Sequence, residues 1–363
     1  MTTVHAFIAA HSIPCDALRC DTVDVFYDQA QWDKARESAK LMQKLMPKHP
    51  AARFTFHDTA ETAEKFHCPS SLGSLSYEAG SLSAYALTIG VLKLGLEKGL
   101  NLQTNTPATH IERVDGRWTV DTPRGQITTP TLILATNGYT AHLLPSLQGV
   151  IVPYRGIVTA QRPGLSLPQT GLSTTYSFVY EKGYEYMITR PAGSKNEGDV
   201  VIGGGLTKAA EEGVGEYGNT DDTALDGDIV EYLTGCTKNF LGPNWGQDHE
   251  EGRIRHVHSG IMGYSGDGYP LVGPVPEQPG LWIDASFQGH GMVLCFLCAR
   301  ALSEMVLGTD EEKQLDEWFP NAFKMTEERF GHVFKGRGQG LMKKTTAMNG
   351  TMNNGDAKNG EGH

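Results

Sequence analysis

The chain has 363 residues, 39% hydrophobic and 20% charged, which is apolar enough for a large core and long enough for two domains. Its formal net charge is -11, and no basic stripe offsets it, which argues against a nucleic-acid or anionic-membrane partner. No apolar run approaches the roughly 20 residues of a membrane span, and the N-terminus lacks the basic flank and long apolar core of a signal peptide.

Residues 1–11 read as a helix, because Val4, Phe7 and Ile8 fall at helical spacing. A strand over 20–27 follows, then a polar helix over 29–46. Ser83 is placed to cap a helix that carries Leu87, Val91, Leu94 and Leu96 and closes at Gly99. Strands at 109–114 and 117–121 precede the run 131–136. That run is apolar on both faces, as in the middle of a covered parallel sheet. From residue 149 to 205 the texture changes. Runs at 150–158, 176–180, 184–190 and 200–203, punctuated by Gly and Pro, read as antiparallel strands. A helix is expected over 224–240 and a strand around 253–260. Leu281-Trp-Ile-Asp-Ala285 reads as a buried strand that leads through residues 286–290 into a long helix ending near Gly308. Residues 335–363 are rich in Gly, Asn, Lys and Thr with little to bury, and are predicted to be disordered.

The six cysteines form no disulfide framework. Cys295 and Cys298 make a C-x-x-C, but they sit in an apolar helix, where free Cys behaves as a small hydrophobe. No second C-x-x-C completes a zinc site, and no metal is expected. Reduced thiols point to an intracellular, cytoplasmic protein. His256 and His258 would share one face of a strand, yet no third ligand is near in sequence, so structural histidines are the better reading. Gly203-Gly-Gly205 lacks the spacing of a phosphate-binding P-loop and reads as a turn.

The sharpest chemistry lies in Phe287-Gln-Gly-His-Gly-Met292. A strand, a turn with two glycines and an apolar helix would bring backbone N–H groups to a helix N-terminus, which favours negative charge. A plain strand-turn-helix unit gives the same pattern. Three further stretches add specificity in order along the chain: Thr131-Leu-Ile-Leu-Ala-Thr-Asn-Gly-Tyr-Thr140; Val152-Pro-Tyr-Arg-Gly156 with Tyr186-Met-Ile-Thr-Arg-Pro191; and Asp267-Gly-Tyr-Pro-Leu-Val-Gly-Pro274. Together they resemble the FAD-dependent D-amino-acid-oxidase superfamily, in its gamma-glutamylputrescine-oxidase-like branch, over nearly the whole chain to about residue 335.

The resemblance implies an α/β fold of mixed α+β character, with a doubly wound FAD-type domain interleaved with an antiparallel-sheet substrate domain. The first would take residues 1–18, 84–148 and 263–334, and the second 19–83 and 149–262. It implies FAD as cofactor and a small-molecule amine or related compound as substrate. Cofactor contacts would fall at Ala135, Thr136, Asn137 and Gly138, and at Gly289, His290, Gly291 and Met292. Arg155 is a candidate for a flavin or substrate contact, with an interdomain ion pair equally plausible. Tyr184, Tyr186, Arg190, His258 and Met262 would line the substrate side. No residue stands out as catalytic, since the flavin carries the redox step.

The departures bear on function. Upstream of these motifs no Gly-x-Gly-x-x-Gly loop comes directly after a strand, although members of the family that the chain resembles usually begin with roughly 100 residues that include that nucleotide-binding β-α-β unit. Residue 1 falls inside what looks like the helix after it. The FAD-type domain is therefore expected to be truncated and FAD binding by this chain alone weak. His258 stands where the branch commonly has Trp, and Ala84 where Pro is common. Met262 stands near the place of an Arg that pairs with the substrate carboxylate, which shifts the expectation from α-amino acids to amines. Three readings stay open: an amine oxidase with O2 as acceptor, a non-redox enzyme or binding protein that reuses the cavity, and an inactive truncated paralogue. The oligomeric state is not legible.

Overall fold

The computed structural model describes residues 2–309 and 312–335. The chain opens with α1 (Thr2–Ala10), β1 (Leu18–Phe26), α2 (Gln29–Leu45), β2 (Thr55–His57), α3 (Thr59–Phe66), β3 (Gly73–Ser81) and α4 (Ala84–Glu97). A meander of β4 (His110–Val114), β5 (Arg117–Thr122) and β6 (Gly125–Thr129) leads to the short β7 (Leu132–Leu134) and α5 (Thr140–Leu143). Then come β8 (Ile151–Gln161), β9 (Thr175–Tyr180), β10 (Gly183–Thr189), β11 (Val200–Gly204) and α6 (Gly227–Leu241). β12 (Ile254–Ser265), β13 (Leu271–Pro274), β14 (Leu281–Ala285) and α7 (Gly291–Leu307) follow. Local chemistry fixes the helix starts. Asp28, Ser83 and Asp226 each accept a backbone N–H three residues on, and Asp58 forms a capping box with Glu61. The expected tail, 335–363, lies outside the described residues except for residue 335.

The largest sheet has eight strands in the order β12-β8-β11-β10-β9-β1-β3-β2. Neighbours are antiparallel except β1 and β9, which are parallel, so the sheet is mixed rather than purely antiparallel. Alternation along each strand sends Val25, Phe178, Met187 and Ile202 to one face, where they pack with Leu233 and Leu241 of α6 and with Trp245. Each fully buried side chain of this kind contributes about 1.5–3 kcal/mol of hydrophobic stabilisation.

A second sheet holds β13-β14-β7, with β14 and β7 parallel and β13 antiparallel to β14. Its core side carries Leu134, Leu281, Ile283 and Ala285. Here the sequence misleads. The run 131–136 reads as a covered mid-sheet strand, but β7 is an edge strand among the described residues, and Ile133 is 45% exposed. An apolar pattern reports which faces avoid water, not how many neighbouring strands are present. The helices beside it tell the same story. α4 is strongly apolar yet buries no residue, and α7 buries only Cys298, Ala301 and Leu302 while Met292, Val293 and Leu297 stay exposed. An apolar layer of this extent is unusual on a solvent-facing surface. Among the described residues no helix is long and apolar enough to cross a membrane. The fold is mixed α/β with several sheets, as the sequence leads one to expect.

Candidate functional site

Three segments meet at one point: the loop after β7, the C-terminal end of β12, and the loop between β14 and α7. Asn137 joins them. It adopts a left-handed conformation (φ 46), and its Oδ1 accepts the Ser286 N–H at 2.9 Å and the Phe287 N–H at 3.3 Å. The Gln288 N–H donates to Gly263 O at 3.0 Å. Glycine is required where the segments touch. A Cβ on Gly138 would lie 2.5 Å from Met262 O, and one on Gly263 would lie 2.7 Å from Asn137 Oδ1.

The turn into α7 is wound through left-handed residues, with φ of 67 at Ser286, 55 at Gln288 and 77 at Gly289. The Gln288 amide donates to Ser265 Oγ at 2.6 Å and to Ser286 O at 3.1 Å, which holds the turn in place. His290 occupies the N-cap, and its Nδ1 is 2.8 Å from Gln288 O. No side chain caps α7. The first N–H groups of the helix are thus presented outward, as an anion-favouring end requires. An added Cβ on Gly291 would meet Phe287 Cβ at 3.9 Å, ordinary van der Waals contact.

The face of the large sheet opposite α6 approaches this turn. Registered partners share a face, so the pairs Met262↔Tyr154, Gly260↔Gly156, His258↔Val158, Val158↔Gly203 and Gly203↔Tyr186 place Tyr154, Tyr186, His258 and Met262 together on it. Tyr184 lies two residues along on the same face. The Met262 thioether covers Gly156 and reaches within 3.5 Å of where a Gly289 side chain would begin. The Tyr186 ring lies over Gly203 and remains 43% exposed. Tyr154, Tyr217, Tyr264 and Phe334 form an aromatic group beneath the turn, with ring centroids 4.9 Å apart for Tyr154–Tyr217 and for Tyr217–Phe334. Burial lowers the His258 pKa, and its stacked neighbour His256, 5.7 Å away, lowers it further.

The arginines are not part of this gathering. Arg155 falls on the α6 side of the sheet, is 7% exposed, and forms a bidentate pair with Glu216 at 2.7 and 2.9 Å. Arg190 pairs with Asp16 at 2.8 Å. Arg255 pairs with Asp199, which is buried. Sequence reading missed the bridging role of Asn137, the Glu216 partner and Gln288 as a fastener. All act over long separations, and only the Asn137-Gly138 pair after a strand carries a local signal of a tight turn. Cys298 is buried on α7, and burial pushes its thiol up to about 12, which suits a packing role.

A profile of the FAD dependent oxidoreductase family (DAO) matches residues 1–305. The chain belongs to this DAO family. It is 23% identical over 292 residues to the probable oxidoreductase OrdL of Rhizobium meliloti (strain 1021), a match that takes in 77% of this chain and 60% of OrdL. Its fold is similar to that of glycine oxidase from Geobacillus kaustophilus, at a TM-score of 0.70 and 17% identity, covering 90% of this chain and 80% of that one. Iminodiacetate oxidase (IdaA) from Chelativorans sp. BNC1 gives a TM-score of 0.68 at 16% identity, covering 90% and 81%. At these identities the structural likeness speaks to the fold alone.

The DAO-family assignment makes FAD the group to test against these residues. The ring end fits: Gly289 and Gly291 leave the backbone bare, and the start of α7 offers N–H groups to a partly negative edge. The pyrophosphate end does not. The one Gly-x-Gly-x-x-Gly string, Gly213-Val-Gly-Glu-Tyr-Gly218, lies in a 3-10 segment between β11 and α6 and not between a strand of this sheet and a helix, and among the described residues β14 is the only parallel partner of β7.

Proposed function

We propose that this chain forms the flavin-facing and substrate-binding part of an amine oxidase of the gamma-glutamylputrescine-oxidase-like branch. FAD, when bound, would accept hydride from a neutral amine and pass the electrons to O2. The residues of this chain orient and select. Ala135 to Gly138 and Gly289 to Met292 would hold the ring end. Tyr184, Tyr186, His258 and Met262 would line the substrate side. The chain divides into an FAD-type part, whose nucleotide-binding strands are not among the described residues, and a substrate part built on the large sheet.

The observation that carries this reading is the state of the arginines. Arg155, Arg190 and Arg255 are each committed to a carboxylate of the chain itself. Met262, on the edge strand β12 beside the turn into α7, cannot receive a carboxylate, and burying that charge unpaired is costly. The pocket therefore suits amines without an α-carboxylate. A calorimetric screen of n-alkylamines against the matching α-amino acids tests this. Amines are expected to bind at least tenfold more tightly, a difference of about 1.4 kcal/mol. A preference for the amino acids that disappears in Arg190→Met or Arg255→Met would reverse the conclusion. The missing pyrophosphate loop favours one second reading, a binding protein or non-redox enzyme that keeps the same cavity without FAD.

A further inference from the structure

The first half of β12 carries two imidazoles that the fold itself does not use. His256 and His258 stand two residues apart, so they project to one side of the strand. β12 is an edge strand, and both side chains are exposed. Their rings stack at a centroid separation of 5.7 Å and an interplanar angle of 21°. Among the described residues neither ring makes a hydrogen bond, and the registered partners across the ladder, Ala160 and Val158, have no side chain that could give one. Sequence alone makes this pair structural. A histidine kept for structure is held by partners, and these two have only each other.

The local backbone holds the pair in place. The register with β8 shifts between Ile254 and His256, a bulge that re-aims the side chains of β12 from His256 onward. Arg255, inside the bulge, donates from Nη2 to Asp199 Oδ1 at 3.1 Å, and Asp199 is buried, so the strand is anchored beside the two rings. Arg253 donates from Nη2 to Asp248 Oδ1 at 2.7 Å. Both cations that flank the histidines are therefore balanced by carboxylates. The chain as a whole carries a formal charge of -11, so its long-range field draws cations in rather than repelling them.

Two imidazoles at this spacing suit a chelate. With metal–nitrogen bonds of roughly 2.0–2.1 Å and a tetrahedral angle, the ring centroids of two histidine ligands lie about 5 Å apart. A small torsional change on an exposed strand closes the remaining gap. Imidazole selects late first-row divalent ions over Mg2+ and Ca2+, which take oxygen ligands. Among the described residues no group of three His, Cys, Asp or Glu side chains is placed to hold a metal, so the protein supplies two ligands and water the others. No carboxylate or carbonyl fixes the far nitrogen of either ring, so the seat exchanges its ion rather than locking it. We propose that His256 and His258 form a bidentate, solvent-open seat for a late first-row divalent cation such as Ni2+ or Zn2+. His258 lies four residues from Met262, roughly 13 Å along the strand, so the seat is separate from the turn into α7 and independent of the amine reading.

The experiment titrates the full chain calorimetrically with NiCl2, alone and against an excess of MgCl2, in the native form, in His256→Gln, in His258→Gln and in the double variant. The native chain is expected to take up one Ni2+ at a site at least about tenfold tighter than any other, because the second imidazole of a chelate closes intramolecularly. Mg2+ should not compete. Either single variant should lose the tight site, and the double variant should lose nothing more. Circular dichroism checks that each variant is folded, and Thr, which suits a strand, replaces Gln at a position where it is not. Two independent imidazoles would bind separately and weakly, each single variant removing one of two equal events. That result, a native chain without a tighter site, or a tight site that survives either single variant overturns the proposal.

Discussion

Glu216→Ala should destabilise the fold by about 3–5 kcal/mol, the largest single effect expected outside the apolar core. Glu216 is 4% exposed and Arg155 7%, so truncating the acid leaves a guanidinium buried without its counter-charge. The carbonyls of Asp221 and Ala224, which also accept from Arg155 Nη1, cannot neutralise it. Replacing both partners with apolar residues of similar volume, as in Arg155→Met with Glu216→Leu, should recover most of the loss, because the desolvation cost disappears with the charges. Denaturant unfolding of the three variants measures this. If Arg155 instead served a bound ligand, Glu216→Ala would cost little stability and the double variant would abolish binding.

Asp284→Asn should stabilise the protein in a pH-dependent way. Asp284 lies on β14, is 8% exposed, and its Oδ1 has no hydrogen-bond partner. Burial alone pushes its carboxyl up to about 7. The folded state therefore holds the proton more tightly than the unfolded state. The associated stability is fully present below the ordinary carboxylate range near pH 4 and is lost as pH rises through about 7. Asparagine cannot ionise, so the variant escapes that loss. Near pH 4 the two proteins should be about equally stable, and at pH 8 the variant should be ahead by up to about 4 kcal/mol. Unfolding curves from pH 4 to 8 check the slope. A variant that is less stable than the native chain at pH 8 would show that the carboxylate is paired after all.

The strands of the large sheet were legible because their signal is local. Period-two alternation placed Tyr184 and Tyr186 on one side of β10, and the register confirms a shared face. The helix starts at Ser83 and the strand into α7 were likewise carried by nearby residues. What joined the site was not local. Asn137 reaches Ser286 across 149 positions and Arg155 reaches Glu216 across 61, and no pattern in either segment announces the other. The sequence leaves Arg155 open between a ligand contact and an ion pair, because its partner Glu216 lies 61 positions away. The edge position of β7 was hidden for a different reason. Its apolar run is suited to a buried sheet, and hydropathy does not record whether the neighbouring strand is present.

The most direct measurement is the visible absorption spectrum of the purified chain, alone and titrated with FAD. In the proposed reading the ring end of the cofactor would sit at Asn137 to Gly138 and at Gly289 to Met292, while among the described residues no glycine-rich strand-to-helix loop stands beside it for the pyrophosphate. Each charge-assisted hydrogen bond lost there costs about 1.5–3 kcal/mol, so affinity should fall by several decades relative to a complete site. The expected result is a colourless protein that takes up flavin only weakly at high concentration. A yellow protein carrying one tightly held FAD per chain would contradict this, and would mean that residues other than a glycine-rich loop hold the pyrophosphate.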